Sequence, residues 1–391
     1  MANELDIVLR AINKASGPIG DVEHSLDKLN RSSGNLVTGG LGSLTSLLGT
    51  GLKVAAGAAV GAIAGLAAGI GASVVSAADM EQRMADISAA MGTSAEETGK
   101  LKDLITSLGL DPNLKVSAIE ATNAIQVLGT AGLSVDQILG GAARATVLLA
   151  NATGADFGTA AAIATDAMAL WGIEADDLTR VVNGVTSTTI ASKFGIDDYR
   201  LAMAQAGGVA AAVGVDFDDF NATIAAISPS FASGSDAGTS FKTLLQRLIP
   251  QSTDAEDAMK ALGLITADGA NAFFDASGNM KSMAQIAGIL NTATAGLTEQ
   301  QKNETFATIF GTDAMRAAFA VAGMTEESFN ALKATMAKTD AEEAAAKRMD
   351  TFKGALEILG GTFETLKIQI GDVFLPILTG IIKKFNEFLT S

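Results

Sequence analysis

Ala131-Gly132-Leu133-Ser134-Val135-Asp136-Gln137 combines the end of one helix and the start of another within seven residues. Gly132 is expected to take a left-handed conformation just past a helix end, and Leu133 to fold back on the last turn. Ser134 then caps the following helix by accepting a hydrogen bond from a free backbone N–H group, and Gln137 completes a capping box. The stretch therefore predicts two helices joined by a tight turn.

The same turn pattern recurs along the chain, each time followed by a residue suited to starting a helix. It is found at Trp171-Gly172-Ile173, Phe194-Gly195-Ile196, Val213-Gly214-Val215, Ala295-Gly296-Leu297 and Ala322-Gly323-Met324. Ser117 with Glu120 and Thr298 with Gln301 fit further capping boxes. The intervals are irregular, which argues against a solenoid of fixed period. We predict an all-α fold of short helices joined by tight Gly turns into helical hairpins, with Trp171, Phe194 and Tyr199 as packing residues.

The composition supports a folded helical chain and excludes several kinds of chemistry. Of 391 residues 48% are hydrophobic, 5% are aromatic and 5 are Pro, which is typical of helical rather than disordered chains. The absence of Cys excludes a disulfide scaffold, a thiolate metal site and a thiol nucleophile. The single His24 is expected to be solvated, and no phosphate-binding loop or Gly-x-Ser-x-Gly elbow is present.

The carboxylate pairs are expected in the first turns of helices, where they interact with the helix dipole. These pairs are Glu96-Glu97, Asp176-Asp177 and Asp218-Asp219. We therefore predict no enzymatic activity, no cofactor and no metal.

The charge distribution divides the chain into regions. The net charge of -16 lies entirely within residues 79–352, whereas residues 1–78 and 353–391 are each neutral. An excess of acidic residues argues against a protein that binds nucleic-acid phosphates, so no sequence-specific nucleic-acid binding is expected. We predict a strand and helix segment over 1–35, an apolar Gly-rich helix over 36–78, an acidic helical-hairpin core over 79–325, and charged then amphipathic helices over 326–391.

The most unusual stretch has no charge over residues 54–78. A helix of that length would span about 37 Å, which exceeds the roughly 30 Å hydrocarbon core of a membrane. Gly57, Gly61, Gly65 and Gly69 recur every fourth residue and so form a smooth groove on one helix face, where another helix can approach closely. Two interpretations remain open: a helix that packs in a membrane, and a buried Ala/Gly helix in a soluble assembly.

The second half of the chain contains four further segments with their own patterns. Residues 228–238 are polar and Gly-rich, which predicts an exposed loop, and residues 268–279 predict a short hairpin or loop. The many charged residues over 326–348 predict a solvated helix. An amphipathic C-terminal helix should follow, with an apolar face formed by Phe352, Leu356, Leu359, Phe363, Leu366 and Ile370. Pro376 is expected to break or kink that helix.

Several short segments, which follow one another along the chain, resemble the core region of phage tail tape measure proteins. They are Met80-Glu81-Gln82-Arg83-Met84, Ala131-Gly132-Leu133-Ser134, Ser233-Gly234-Ser235-Asp236-Ala237-Gly238, Asp275-Ala276-Ser277-Gly278-Asn279, Ile309-Phe310-Gly311-Thr312-Asp313, and Ile370-Gly371-Asp372 through Pro376. The resemblance covers roughly residues 75–385.

The resemblance implies a structural protein of a phage or phage-like tail that helps to set the length of the tail tube. It implies a location in the tube lumen after assembly in the host cytoplasm, and partners among the tail tube and baseplate or tail-tip proteins. It also implies a small oligomer, and contact with the host membrane while DNA is ejected. Contractile injection systems use similar proteins.

Two alternatives are weighed beside this interpretation. One is a membrane-active, pore-forming toxin or effector whose pore helix is 54–78, and the other is a soluble helical scaffold. Members of the family are usually longer than this chain, which as one helix would reach at most about 590 Å. Either the tail is short, or this is an N-terminal part of a longer protein.

Overall fold

The computed structural model describes the backbone of residues 56–390, with side chains from residue 72 to 376 and at 379, 380 and 383. The chain divides into two compact units, Met1–Gly71 and Ala72–Ser391. The predicted strand and helix within residues 1–35, and His24, lie outside the described residues. In the first unit, the described backbone belongs to the first helix. The second unit contains the hydrophobic core.

The described residues form an all-α structure, which confirms the predicted fold class. The only strand-like pairs among them are two isolated antiparallel bridges, Ile265 with Asn271 and Phe274 with Met280. The helices are α1 (Ala56–Met91), α2 (Ala95–Leu110), α3 (Ala118–Thr130), α4 (Val135–Gln137), α5 (Ala143–Thr153), α6 (Phe157–Trp171), α7 (Leu178–Ala191), α8 (Ile196–Ala212), α9 (Phe217–Ile227), α10 (Gly234–Arg247), α11 (Thr253–Ala261), α12 (Met283–Thr294), α13 (Glu299–Ala322), α14 (Glu326–Met336), α15 (Ala341–Met349) and α16 (Phe352–Thr390). A π-turn over Ile138–Ala142 joins α4 to α5, and short 3-10 turns lie at Ala175–Asp177 and Ser228–Ser230.

Polar caps begin many of these helices. The predicted capping boxes at Ser117 with Glu120, Ser134 with Gln137 and Thr298 with Gln301 are all formed. Two further boxes have the same chemistry, Ser94 with Glu97 and Ser282 with Gln285. Each box satisfies backbone donors at the helix start that would otherwise lack partners.

The glycine turns are of two kinds, so the uniform prediction is partly wrong. Gly132, Gly172 and Gly214 have positive φ, as expected for a left-handed turn. Gly195 is instead an extended N-cap with φ -75°, and Gly323 has a right-handed φ of -71°. Gly323 keeps the right-handed conformation of the helix before it, and its N–H group donates to the Phe319 carbonyl.

The core is centred on α8, α9 and α10. Phe194 and Tyr199 are buried, as predicted. Trp171 packs its ring against Phe217 and Phe220, with centroids 5.3 Å and 5.1 Å apart, and its indole N–H donates to the Val215 carbonyl at 2.9 Å.

The predicted exposed loop over 228–238 is wrong, because this segment packs into the core. Ser228 and Phe231 are buried, and α10 already begins at Gly234. Gly234 and Gly238 lie directly against the backbone of α8: a Cβ atom on Gly238 would lie 2.6 Å from the Ala202 carbonyl oxygen, and one on Gly234 would overlap the Asp198 carbonyl. The glycines there permit close helix packing rather than loop flexibility. The turn over 268–279, by contrast, is a short hairpin-like excursion, as expected.

The predicted solvated helix over 326–348 is also wrong. Two helices, α14 and α15, occupy the segment and each buries one face. Phe329 and Met336 of α14 and Ala341 and Ala345 of α15 are buried. Most of the charged residues are exposed, whereas Lys333 is partly buried, so a strongly charged composition conceals a narrow apolar stripe on each helix.

The last helix, α16, continues through Pro376 to Thr390, so the predicted break at Pro376 does not occur. Proline removes one backbone donor. Helical backbone nevertheless continues on both sides of Pro376 over the 39 residues of α16.

Candidate interaction surface

The long helix α16 holds two opposite faces with different environments. One face packs against the core through small residues. A Cβ atom on Gly361 would lie 2.8 Å from the Val116 carbonyl oxygen, and one on Gly371 would overlap the Ser73 carbonyl. Thr365, fully buried, accepts a hydrogen bond from the Ala118 N–H at 3.2 Å and donates to the Gly361 carbonyl at 2.9 Å. These contacts fix the rotation of α16 about its own axis.

Two ion pairs reinforce this docking. Lys102 of α2 lies 2.7 Å from Asp372, and Lys115 lies 2.7 Å from Glu357. The hydrogen bond from Lys115 holds the pKa of Glu357 below its ordinary value. Because the pairs are partly exposed, their main effect is on orientation rather than on stability.

The opposite face of α16 carries a row of exposed apolar side chains, which we call the α16 stripe. Its members are Phe352, Leu356, Leu359, Phe363, Leu366 and Ile370, with exposures from 82% at Phe352 to 39% at Leu366. The sequence predicted these residues as the apolar face of an amphipathic helix, and that face points away from the core. Single exposed apolar residues are common on proteins, whereas a contiguous row is typical of an interaction site.

A second notable cluster is a buried carboxylate that sequence reasoning missed. Asp219 lies in the first turn of α9, as predicted, but it is only 2% exposed. Its carboxylate accepts from the Met283 N–H at 2.8 Å and from the Lys333 ammonium, which ties α9 to α12 and α14. Burial alone would lower the pKa of Lys333, but pairing with Asp219 outweighs this and raises the pKa. The three groups are far apart in sequence, so no local pattern marks them.

This cluster borders a cleft lined by Arg180, Gly184, Asn221 and Lys333. Both cations are neutralised there, because Arg180 pairs with Asp218 at 3.0 Å and Lys333 with Asp219. Asn221 accepts a hydrogen bond from Tyr199 at 2.7 Å, while its amide N–H group has no partner among the described residues. The ionised groups are thus engaged with one another, which suits a structural junction between helices.

The described residues hold no group of three or more side chains with the donors and spacing of a metal site. Of the three predicted carboxylate pairs, Glu96 and Glu97 lie in the first turn of α2 and Asp176 and Asp177 in a 3-10 turn. Asp218 and Asp219 lie in the first turn of α9, with Asp218 exposed and Asp219 buried.

The predicted glycine groove can be followed only in part. Gly57, Gly61, Gly65 and Gly69 fall within α1, but what surrounds them lies outside the described residues. Among the residues with described side chains, no unbroken helix has the length and apolarity needed to cross a membrane. One pair of helical segments, Val135–Thr153 and Phe157–Trp171, reaches that length only with a 115° bend between them.

The described residues form an all-helical structure, and the α16 stripe is a helix face suited to binding a partner. Residues 102–311, more than half of the chain, match the profile of a family described as phage-related minor tail proteins, and the chain belongs to this family.

Two curated relatives are similar over much of the chain. The tape measure protein of Pneumococcus phage Dp-1 is 26% identical over 323 residues, which is 81% of this chain and 27% of the relative. The probable tape measure protein of Escherichia phage P2 is 26% identical over 244 residues, which is 61% of this chain and 29% of the relative. The matches thus span less than a third of the relatives' own lengths. No solved structure matches the chain.

Proposed function

We propose that this chain is a structural, non-enzymatic component of a phage tail and takes part in determining tail length. The observation that carries the proposal is the similarity of 81% of the chain to a tape measure protein, together with membership of the minor tail protein family. The all-helical structure, the ion-paired junction at Asp219 and the exposed α16 stripe fit a protein that acts by assembly.

The finer parts of the proposal concern place and partners. The chain works as a small oligomer in the lumen of the tail tube and contacts tube and baseplate or tail-tip proteins. During DNA ejection the uncharged helix containing Gly57, Gly61, Gly65 and Gly69 engages the host envelope. The support for this last step is the length and lack of charge of residues 54–78.

The test uses the phage that encodes this chain, with an amber codon in place of Gln82. In a non-suppressing host we expect particles without tails, or tails of widely scattered length, in negative-stain micrographs. In a host whose suppressor inserts Gln, the same phage should form tails of uniform normal length. Uniform, normal tails in the non-suppressing host would overturn the proposal.

A further inference from the structure

We propose that the α16 stripe is the surface through which two copies of this chain associate, each α16 lying parallel to the α16 of the other copy. The inference deepens the proposed function, on which it rests for its role in the tail, by naming the surface that forms the oligomer. The pairing itself is a property of the chain in solution.

The spacing of the stripe favours a helix as its partner. Its six residues follow one another at intervals of four, three, four, three and four. An average of 3.5 residues keeps a row of side chains facing one neighbouring helix along its whole length, as in a left-handed coiled coil. The stripe runs over 19 residues, and its ends lie about 27 Å apart along the helix.

The chain's own core does not cover this surface. Gly361, Thr365 and Gly371 hold the other face of α16 against the core, so α16 cannot turn the stripe inward without losing these contacts. The exposures of Phe352 and Phe363, 82% and 56%, show how much aromatic surface remains open.

The area of the stripe is of the size that a specific interface needs. Large apolar side chains each bury on the order of 150–250 Å², so six with these exposures offer roughly 600 Å². This approaches the roughly 800 Å² per partner of a standard interface, and it equals or exceeds the largest apolar patch of a typical monomer.

The charges beside the stripe select a parallel arrangement. On one flank lie Lys353, Gly360 and Lys367, and on the other lie Ala355, Thr362 and Gln369. In a parallel pair of coiled helices the lysine flank of each copy meets the uncharged flank of the other. In an antiparallel pair the two lysine flanks meet, which is unfavourable. The net charge over residues 353–391 is zero, so this region also avoids the repulsion between the acidic bodies.

The first experiment measures the mass of the intact chain by light scattering over a range of concentrations. We expect association to twice the mass of one 39.6 kDa chain, with Leu359→Lys plus Leu366→Lys weakening it by about 100-fold or more. The matched control is Ile190→Lys plus Ile249→Lys, which adds the same charge at exposed apolar positions outside the stripe and should leave association unchanged. Far-UV circular dichroism of both variants establishes that the fold is intact.

The second experiment tests the orientation with single cysteines, which the chain otherwise lacks. Phe352→Cys and Ile370→Cys lie at opposite ends of the stripe. A parallel pair brings like ends together, so each variant alone should form a disulfide-linked dimer, since linked Cα atoms lie about 4.4–6.8 Å apart. An antiparallel pair would give a linked dimer only when the two variants are mixed.

Three results would overturn the proposal: a monomer at every concentration, association unaffected by the lysines in the stripe, or cross-linking only in the mixture. If the chain is monomeric at every concentration, the stripe instead binds another tail protein. These results are independent of the amber-codon test, because normal tails without the chain would refute its role in the tail and leave pairing in solution unaffected.

Discussion

Gly234 and Gly238 show how two residues without side chains set the closest packing in the core. They lie four positions apart in α10, on the face that meets α8, and the helices there touch backbone to backbone. The Gly234 N–H group also donates to the Asp198 carboxylate of α8 at 2.8 Å. This pair makes the most extensive helix–helix contact of the described residues.

We expect Gly238→Ala to lower the free energy of unfolding by about 1–3 kcal/mol, because the new methyl group presses on the Ala202 carbonyl and a backbone atom cannot rotate away. Gly234→Ala should cost at least as much, since its methyl group would overlap the Asp198 carbonyl. Urea unfolding followed by circular dichroism measures both effects.

The control is Gly208→Ala in α8. A Cβ atom there would meet only the Leu170 side chain at 4.0 Å, so the substitution should leave stability unchanged or raise it by about 0.5–1 kcal/mol. Equal losses at Gly208 and Gly238 would show that glycine is not required at the α8–α10 contact.

The sequence could reveal the spacing of these glycines but not their role. Gly234 and Gly238 have the same four-residue interval as Gly57, Gly61, Gly65 and Gly69, yet they stand among serines and an aspartate, as turn residues often do. The Asp219 carboxylate was predicted in its helix turn, but its burial depends on Lys333, which is 114 positions away. Contacts of that range have no signature in a local pattern.

At the scale of single helices, periodicity and caps predict most of the structure. The capping boxes locate the starts of α3, α4 and α13, because a cap is determined by residues three positions apart. Periodicity also identifies the apolar face of α16 but not what covers it, whereas the charged residues of α14 concealed its apolar face. Phe329 of α14 is buried by the core, whereas Phe352 of α16 is exposed, and only the tertiary arrangement distinguishes the two.

The glycine-lined part of α1 makes a prediction of its own. If Gly61 and Gly65 form a groove for close helix contact in a membrane, Gly61→Leu with Gly65→Leu should fill the groove and abolish most dye release from lipid vesicles. Circular dichroism should show the core over 80–350 still folded.

The matched control is Ala59→Leu with Ala67→Leu, which adds the same two leucines on the opposite side of the helix from Gly61 and Gly65. Release should persist in this variant. If the intact chain releases no dye, or if both double variants lose release equally, the groove has no specific role at the membrane.

At the scale of the whole molecule, the acidic charge and the exposed apolar α16 stripe lie in different segments of the chain. The excess of acidic residues lies within 79–352, and many of them stand in first turns, such as Glu96 and Glu97 of α2. Like charge on the bodies of neighbouring copies keeps those surfaces apart. The α16 stripe lies in the neutral segment that follows, where association meets the least electrostatic cost.

The segment over 326–349 gives the sharpest test of how the compact unit Ala72–Ser391 is built. If this segment were a solvated helix, it could be deleted without harm to the fold. The deletion would then test whether the segment sets tail length. The structure predicts the opposite: deletion removes Phe329 and Lys333, leaves the Asp219 carboxylate buried without its cation, and uncovers the core. We expect the deleted chain to lose cooperative thermal unfolding and to elute as aggregate in size-exclusion chromatography.

As a control, the same segment keeps its length but loses four exposed charges, through Glu327→Ala, Lys338→Ala, Glu343→Ala and Lys347→Ala together. This variant should change the melting temperature little. Cooperative unfolding of the deleted chain would place α14 and α15 outside the folding unit and restore them as a candidate ruler.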